Sequence, residues 1–302
     1  MSLFDRAVVR LLPAVPRPVV RRLSAPYIAG PTLADARRTV ARLNAEGKLA
    51  TIDVLGEELV RPDEAHAIAE AYRDVLAAIE EDRLDANVSV KLTALGLKLD
   101  RALCRELLEG VVREAARRGT FVRIDMEDSS CTDDTLALYR ELRAAGLDNV
   151  GIVLQAALRR TLADIAELHD LRPRVRLCKG IYVEPPAVAF QDADVIRRSF
   201  VAALDALLAA GCQVAIATHD EALIRAALDR VGRLSPAGYE LQMLLGVREQ
   251  RASELVAAGH PLRVYVPFGR RWYEYSLRRL QENPKVAGYV AADVVRRLVP
   301  GR

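Results

Sequence analysis

"NVSVKL", residues 87–92, reads as a β-strand with two unlike faces. Successive side chains on a strand point to opposite sides, so Val88, Val90 and Leu92 share one face while Ser89 and Lys91 share the other. "FVRIDM" (121–126) repeats the phase: Val122, Ile124 and Met126 oppose Arg123 and Asp125. Further along, Ile152 and Leu154 oppose Gln155, Val175 and Leu177 oppose Arg176, Leu241 and Met243 oppose Gln242, and Val264 and Val266 oppose Tyr265. A one-residue slip would turn every aliphatic set over, so the register of each strand is tightly specified.

Working outward from these strands gives eight β-branched runs in all. They are "ATIDV" (50–54), "NVSVKL", "FVRIDM", "NVGIVLQ" (149–155), "RVRLCK" (174–179), "QVAIATH" (213–219), "YELQML" (239–244) and "PLRVYV" (261–266). The segments between them carry helix periodicity, as in Ile68, Tyr72, Val75, Leu76 and Ile79, or Ile196, Phe200, Leu204, Leu207 and Leu208. Eight strand-then-helix units at intervals of roughly 23 to 40 residues match an α/β chain folded as a (β/α)8 TIM barrel. A doubly wound open sheet is the competing fold, but nothing in it favours stopping at eight. Helical-looking pieces at about 3–24 and 32–46 precede the first strand, so residues 1–46 are expected as N-terminal helices packing on a catalytic barrel over 47–302.

In a closed barrel the aliphatic phase faces the covering helices, which turns the polar phase into the lumen. Lys91, Arg123, Asp125, Gln155, Arg176 and Gln242 are too many for a packed apolar interior, because each unpartnered buried polar group costs about 1–3 kcal/mol. A functional cavity near the strand C-termini follows. Lys91, Arg176 and Lys179 give it a surplus of positive charge, joined by Arg278 and Arg279 if the last helix lies near the mouth. That helix, "YEYSLRRLQENP" (273–284), stacks Tyr275, Arg278, Arg279 and Glu282 on one side. It suits either a solvated face with an Arg278–Glu282 pair or a lid whose paired guanidinium forks grip a carboxylate. Read this way, the residues indicate an enzyme for a small carboxylate with a phosphate-bearing cofactor. Three rivals use the same residues. They are a Schiff-base aldolase with Lys91 or Lys179 as nucleophile, a metal-dependent isomerase using Asp53, Asp125, Glu127 and His219, and a non-catalytic binding barrel.

Composition narrows the classes. Both charge signs are spread along 302 residues with a net charge of +3, giving no basic stripe for nucleic acid. The first 22 residues are locally basic, with Arg6, Arg10, Arg17, Arg21 and Arg22 among apolar residues. Such a segment suits an anionic membrane surface, although Pro13, Pro16 and Pro18 interrupt it and favour plain packing. It lacks the unbroken apolar core of a secretory signal, and no run reaches the ~20 apolar residues of a membrane span, so a cytoplasmic location is expected. Four cysteines show no paired spacing, and four histidines include no HExxH. No GxGxxG or GxxxxGK occurs, and no metal site is expected.

Seven stretches together carry a resemblance. "TIDVLGEE", "VSVKLTALG", "FVRIDMED", "VGIVLQAALRRT", "VRLCKGIY", "IATHD" and "YVPFGRRWYEYSLRRLQENP" occur in the order found in proline dehydrogenases. The chain resembles the monofunctional bacterial form of that flavoprotein family over about residues 30–284. The resemblance implies a distorted (β/α)8 barrel with its final helix over the mouth. It implies oxidation of L-proline to Δ1-pyrroline-5-carboxylate, with hydride passing to FAD and electrons then to a membrane quinone. On that last step the N-terminal segment gains a reason for peripheral contact with the inner face of a membrane.

Carried over by position, Lys91, Arg278 and Arg279 would hold the proline carboxylate, and Tyr265, Tyr275 and Leu244 would wall its ring. Arg176 would approach the flavin nitrogen that accepts hydride, while Met126 and Gln155 would contact the isoalloxazine. Lys179, Gly180, Ile181 and Tyr182 would follow the cofactor's ribityl and phosphate groups, and Thr218 and His219 its far end. Asp125 would be a polar anchor and candidate proton acceptor. Glu57 would pair with Arg278 as a gate, and Glu282 would orient the arginines. Ile181 and Val183 depart from the family pattern, which carries an alanine and an aromatic residue there.

Overall fold

A computed structural model describes residue 20 and residues 25–56, 59–232, 238–273 and 275–276. Eight strands close into one all-parallel barrel in sequential order. They are β1 (Leu49–Val54), β2 (Ala86–Val90), β3 (Val122–Ile124), β4 (Val150–Gln155), β5 (Arg174–Cys178), β6 (Gln213–Ala217), β7 (Tyr239–Leu244) and β8 (Leu262–Phe268). β8 closes the ring on β1 with Ala50 opposite Val264 and Ile52 opposite Val266. The alternative of an open sheet is therefore excluded.

The aliphatic phase lies against the helices, as the strand pattern requires. Val88, Val90, Val122, Ile124, Ile152, Val175, Leu177, Ile216, Leu241, Val264 and Val266 are all buried in one continuous core. Helix α1 (Leu33–Ala45) packs on β1 and β8. It starts at Thr32, whose hydroxyl accepts from Asp35 N while the Asp35 carboxylate accepts from Thr32 N at 2.9 Å, a reciprocal cap worth about 1 kcal/mol. The outer ring continues with α2 (Pro62–Glu81), α3 (Arg101–Arg117), α4 (Thr132–Ala144), α5 (Thr161–Leu168), α6 (Ala193–Ala209), α7 (Glu221–Val231) and α8 (Glu249–Ala257). The expected stripe of α2 is buried, with Tyr72, Val75, Leu76 and Ile79 facing the barrel.

Two details differ from the strand-by-strand expectation. β2, β3 and β6 end earlier than the apolar runs, so Lys91, Asp125, Met126, Thr218 and His219 lie just past the last laddered residue. The backbone diverges there, and strict alternation no longer applies: Met126 borders the mouth cavity although its parity matches the outward face. Arg123 is the second difference. It points toward the opposite end, where Nη1 donates to the carbonyls of Ile152 and Arg174, and its guanidinium lies 4.8 Å from the Phe121 ring centroid. Gly151 makes room for it, since a Cβ there would stand 2.7 Å from Arg123 Nη1. Burial and the neighbouring Arg176 push its guanidinium down to about 9.

Residues 1–19 and 21–24, Glu57, and everything after Ser276, including Arg278, Arg279 and Glu282, lie outside the described residues. Among the described residues no helix is long and apolar enough to cross a membrane.

Candidate active site

One cavity of about 640 Å³ opens at the C-terminal mouth of the barrel, within the usual range of small-molecule sites. Lys91, Asp125, Met126, Gln155, Arg176, Lys179, Gly180, Ile181, Tyr182, Thr218, His219, Leu244, Tyr265 and Tyr275 all line it. Every residue given a substrate or cofactor role from the sequence that falls within the described residues is therefore brought to one place, whereas Arg123 lies at the other end of the lumen. Tyr275 arrives from the helical segment after β8 and is buried against Ile28 and Leu55.

Asp125 is the hub. Its Oδ1 accepts from Ser89 Oγ at 2.6 Å and from Arg176 Nη1 at 2.6 Å, while Oδ2 accepts from Tyr265 Oη at 3.0 Å. Lys91 Nζ lies 3.8 Å from the same carboxylate. Burial works to raise this carboxyl, but Arg176, Lys91 and the two hydroxyl donors outweigh it and hold it below the usual carboxylate range. Tyr265 moves the other way: burial and the charges of Asp125 and Asp53 push its phenol well above the ordinary value, so it stays protonated as a donor.

Contrary to the surplus of positive charge expected from the strand pattern, the cations in the described part of the site are matched by carboxylates. Lys91 Nζ donates to both oxygens of Asp53 at 2.8 Å, and Arg176 faces Asp125. Lys179 Nζ is 3.3 Å from Asp220, which Arg197 Nε also approaches at 2.8 Å. These carboxylates were legible, since Asp53 occupies the polar phase of "ATIDV" with Thr51, and Asp220 follows "IATH" at the start of α7. Gln242, lumen-facing by strand parity, also belongs to the site. Its Oε1 accepts from Arg176 Nε.

Arg176 keeps one donor in reserve. Its Nη2 is buried without a hydrogen-bond partner among the described residues, and the guanidinium carbon lies 5.4 Å from the Tyr265 ring centroid. Such an orphaned buried donor calls for an acceptor supplied from the cavity. Beside it, Gln155 Nε2 donates to the carbonyls of Met126 and Glu127, both at 3.1 Å, fixing the amide on the cavity wall. Gly180 adopts φ +102°, and a Cβ there would stand 3.3 Å from the Cβ atoms of Ala157 and Gln155. Glycine thus permits both the left-handed backbone and its close approach to the wall. Across the mouth, Leu244 N donates to His219 Nε2 at 3.0 Å, which assigns the proton of a neutral ring to Nδ1.

Two rivals lose their geometry. Lys91 and Lys179 each face a carboxylate, the reverse of the desolvated, cation-crowded setting that activates a lysine nucleophile. Asp53 and Asp125 are held by Lys91 and Arg176, and Glu127 accepts from Thr93 N at 2.9 Å. Among the described residues no group of three or more histidine, cysteine or acidic side chains is placed to hold a metal ion.

A family model described as proline dehydrogenase matches residues 36–292. The chain is 38% identical over 273 residues to proline dehydrogenase 1 of Bacillus subtilis subsp. natto, covering 90% of each. It is 34% identical over 280 residues to proline dehydrogenase of Deinococcus radiodurans, covering 89% of each. Its fold also matches the crystal structure of proline utilization A from Bdellovibrio bacteriovorus inactivated by N-propargylglycine. That match has a TM-score of 0.82 at 22% identity and covers 92% of this chain and 36% of the other.

Proposed function

The chain belongs to the proline dehydrogenase family, and on that premise we propose that the mouth cavity binds L-proline beside FAD and delivers the electrons to a quinone. Its activity is the oxidation of proline, the first step of proline catabolism. The family implies a flavin, and the residues present fit one. Arg176 Nη2, without a partner among the described residues, is a buried cationic donor for an electron-rich ring nitrogen, Gly180 offers bare backbone, and Lys179 supplies a cation for phosphate oxygens. Met126 and Gln155 would contact the isoalloxazine, Ile181 and Tyr182 the ribityl chain, and Thr218 and His219 the adenylate end. When bound, the flavin would supply the hydride acceptor.

The chain's own residues then hold and orient. Lys91, Arg278 and Arg279 anchor the proline carboxylate, while Tyr265, Tyr275 and Leu244 wall the pyrrolidine ring. Glu57 gates the site through Arg278, and Glu282 steadies the arginine pair. Asp125 acts as an anchor more than as a base: three donors already satisfy it, and a carboxylate held below its usual range is a poor proton acceptor. Rate therefore comes from orienting the amine-bearing carbon, which can supply about 7–11 kcal/mol in well-aligned systems. The basic residues 1–22 would rest on the inner face of a membrane and bring the site to its quinone.

The observation that carries this reading is the convergence of fourteen expected residues on one cavity around an arginine with a spare donor. The test is turnover. Purified protein reconstituted with FAD should convert L-proline to Δ1-pyrroline-5-carboxylate with a soluble quinone as acceptor. No product after reconstitution would sink the proposal.

A further inference from the structure

Asp53 lies beneath the cavity, fully buried, on β1. It is not among the residues that line the mouth, yet it controls one that does. Both of its oxygens accept from Lys91 Nζ at 2.8 Å, and the same ammonium donates to Tyr265 Oη at 3.1 Å. An ammonium has three N–H groups, one of which can be shared between the two Asp53 oxygens, so these contacts fix its direction as well as its place. Tyr265 Oη in turn donates to Asp125, so Asp53 begins a chain that runs through Lys91 and Tyr265 to the hub of the site. The base of the chain is anchored from outside the barrel. Tyr72 of α2 places its hydroxyl 3.3 Å from Asp53 Oδ1 while donating to Ser89 O at 2.7 Å.

We infer that Asp53 is a positioning residue for the substrate: by holding the Lys91 ammonium it sets where the substrate carboxylate is met. The packing favours this over a purely structural role. A buried carboxylate needs some partner, but an inward side chain already 8% exposed at the cavity floor need not be that partner unless its placement matters. Asp125 lies farther from the same ammonium, at 3.8 Å, and accepts from Ser89, Arg176 and Tyr265. Without Asp53 the ammonium loses both of its 2.8 Å contacts and with them what fixes its position at the floor.

This inference rests on the proline reading, and its test separates the two. Flavin-loaded Asp53→Asn is assayed with L-proline beside the unsubstituted enzyme, Lys91→Met and the double variant. Asp53→Asn should raise KM roughly 10- to 100-fold, the range of one charge-assisted contact, while kcat changes less than about threefold. In the Lys91→Met background the same substitution should change KM less than about twofold, because its target is gone. A KM within twofold of the parent alongside lower thermal stability would reduce Asp53 to a structural role and overturn the inference. A further tenfold rise in the Lys91→Met background would also overturn it. If Asp53→Asn fails to fold, the comparison of Lys91→Met with the double variant, where no ammonium is left without its partner, still decides. Active parent enzyme with an unaffected variant overturns Asp53 alone, whereas inactive flavin-loaded parent overturns the proline reading and this inference with it.

Discussion

Replacing Asp125 by asparagine keeps the shape of the hub and removes its charge. The carboxylate accepts from Ser89 and Arg176 at 2.6 Å and from Tyr265 at 3.0 Å, with Lys91 at 3.8 Å. The amide oxygen can still serve Arg176, but the amide nitrogen is a donor turned toward Tyr265 and Lys91, which are donors themselves. Arg176 already has one nitrogen without a partner among the described residues, so weakening its ion pair leaves the guanidinium poorly compensated. One lost charge-assisted contact is worth about 1.5–3 kcal/mol, and full loss of a buried partner about 3–5 kcal/mol. Asparagine belongs to the lower range and Asp125→Ala to the upper. At about 2–4 °C per kcal/mol for a chain of this class, the Asn variant should melt about 3–12 °C lower at pH 7.

The pH dependence supplies the sharper check. Asp125 is held below the ordinary carboxylate range, so its stabilisation is fully present above the unfolded value near pH 4 and is lost as pH falls through the lower folded value. The melting difference between parent and variant should therefore be constant from pH 7 to about 5 and shrink below about 4. Asp53 has the opposite sign, since burial raises its carboxyl despite Lys91, so it does not contribute to that acid loss. Scanning calorimetry on both flavin-loaded proteins measures the gap. A difference under 1 °C at pH 7, or one that stays flat down to about pH 3, would refute the reasoning.

Other substitutions probe separate parts of the site. Gly180→Val adds a branched Cβ at φ +102°, 3.3 Å from two neighbouring Cβ atoms, and should lower the flavin-to-protein absorbance ratio severalfold; full flavin content would remove Gly180 from the cofactor wall. Arg278→Met and Arg279→Met should each raise the proline KM by about 10- to 100-fold with flavin retained, at roughly 1.5–3 kcal/mol per contact, whereas unchanged kinetics would return the pair to solvent. Deleting residues 1–22 should weaken binding to anionic liposomes and slow quinone reduction, leaving reduction by proline intact. Unchanged liposome binding would end the membrane role of that segment.

The barrel was legible because each strand carries its own instruction. Val88, Val90, Val122, Ile124, Val175 and Leu177 state which face is buried, and the eightfold repetition of that message closes the sheet. Lys91, Arg176 and Tyr265 could be placed in the lumen by parity alone. Parity failed at Met126, where the strand had already ended, and it could not tell upper from lower lumen for Arg123, whose long side chain turns toward Arg174 O. Pairings were less legible than positions. That Lys91 meets Asp53 depends on the stagger between β1 and β2, and that Lys179 meets Asp220 depends on two loops, neither of which a single strand pattern encodes.

Anaerobic titration of the purified, FAD-reconstituted chain with L-proline joins cavity, cofactor and substrate in one observation. The oxidised flavin band should bleach with one equivalent of L-proline consumed per flavin and recover when a soluble quinone is added. A flavin that binds yet stays oxidised at saturating L-proline would contradict the assignment of this cavity to proline oxidation.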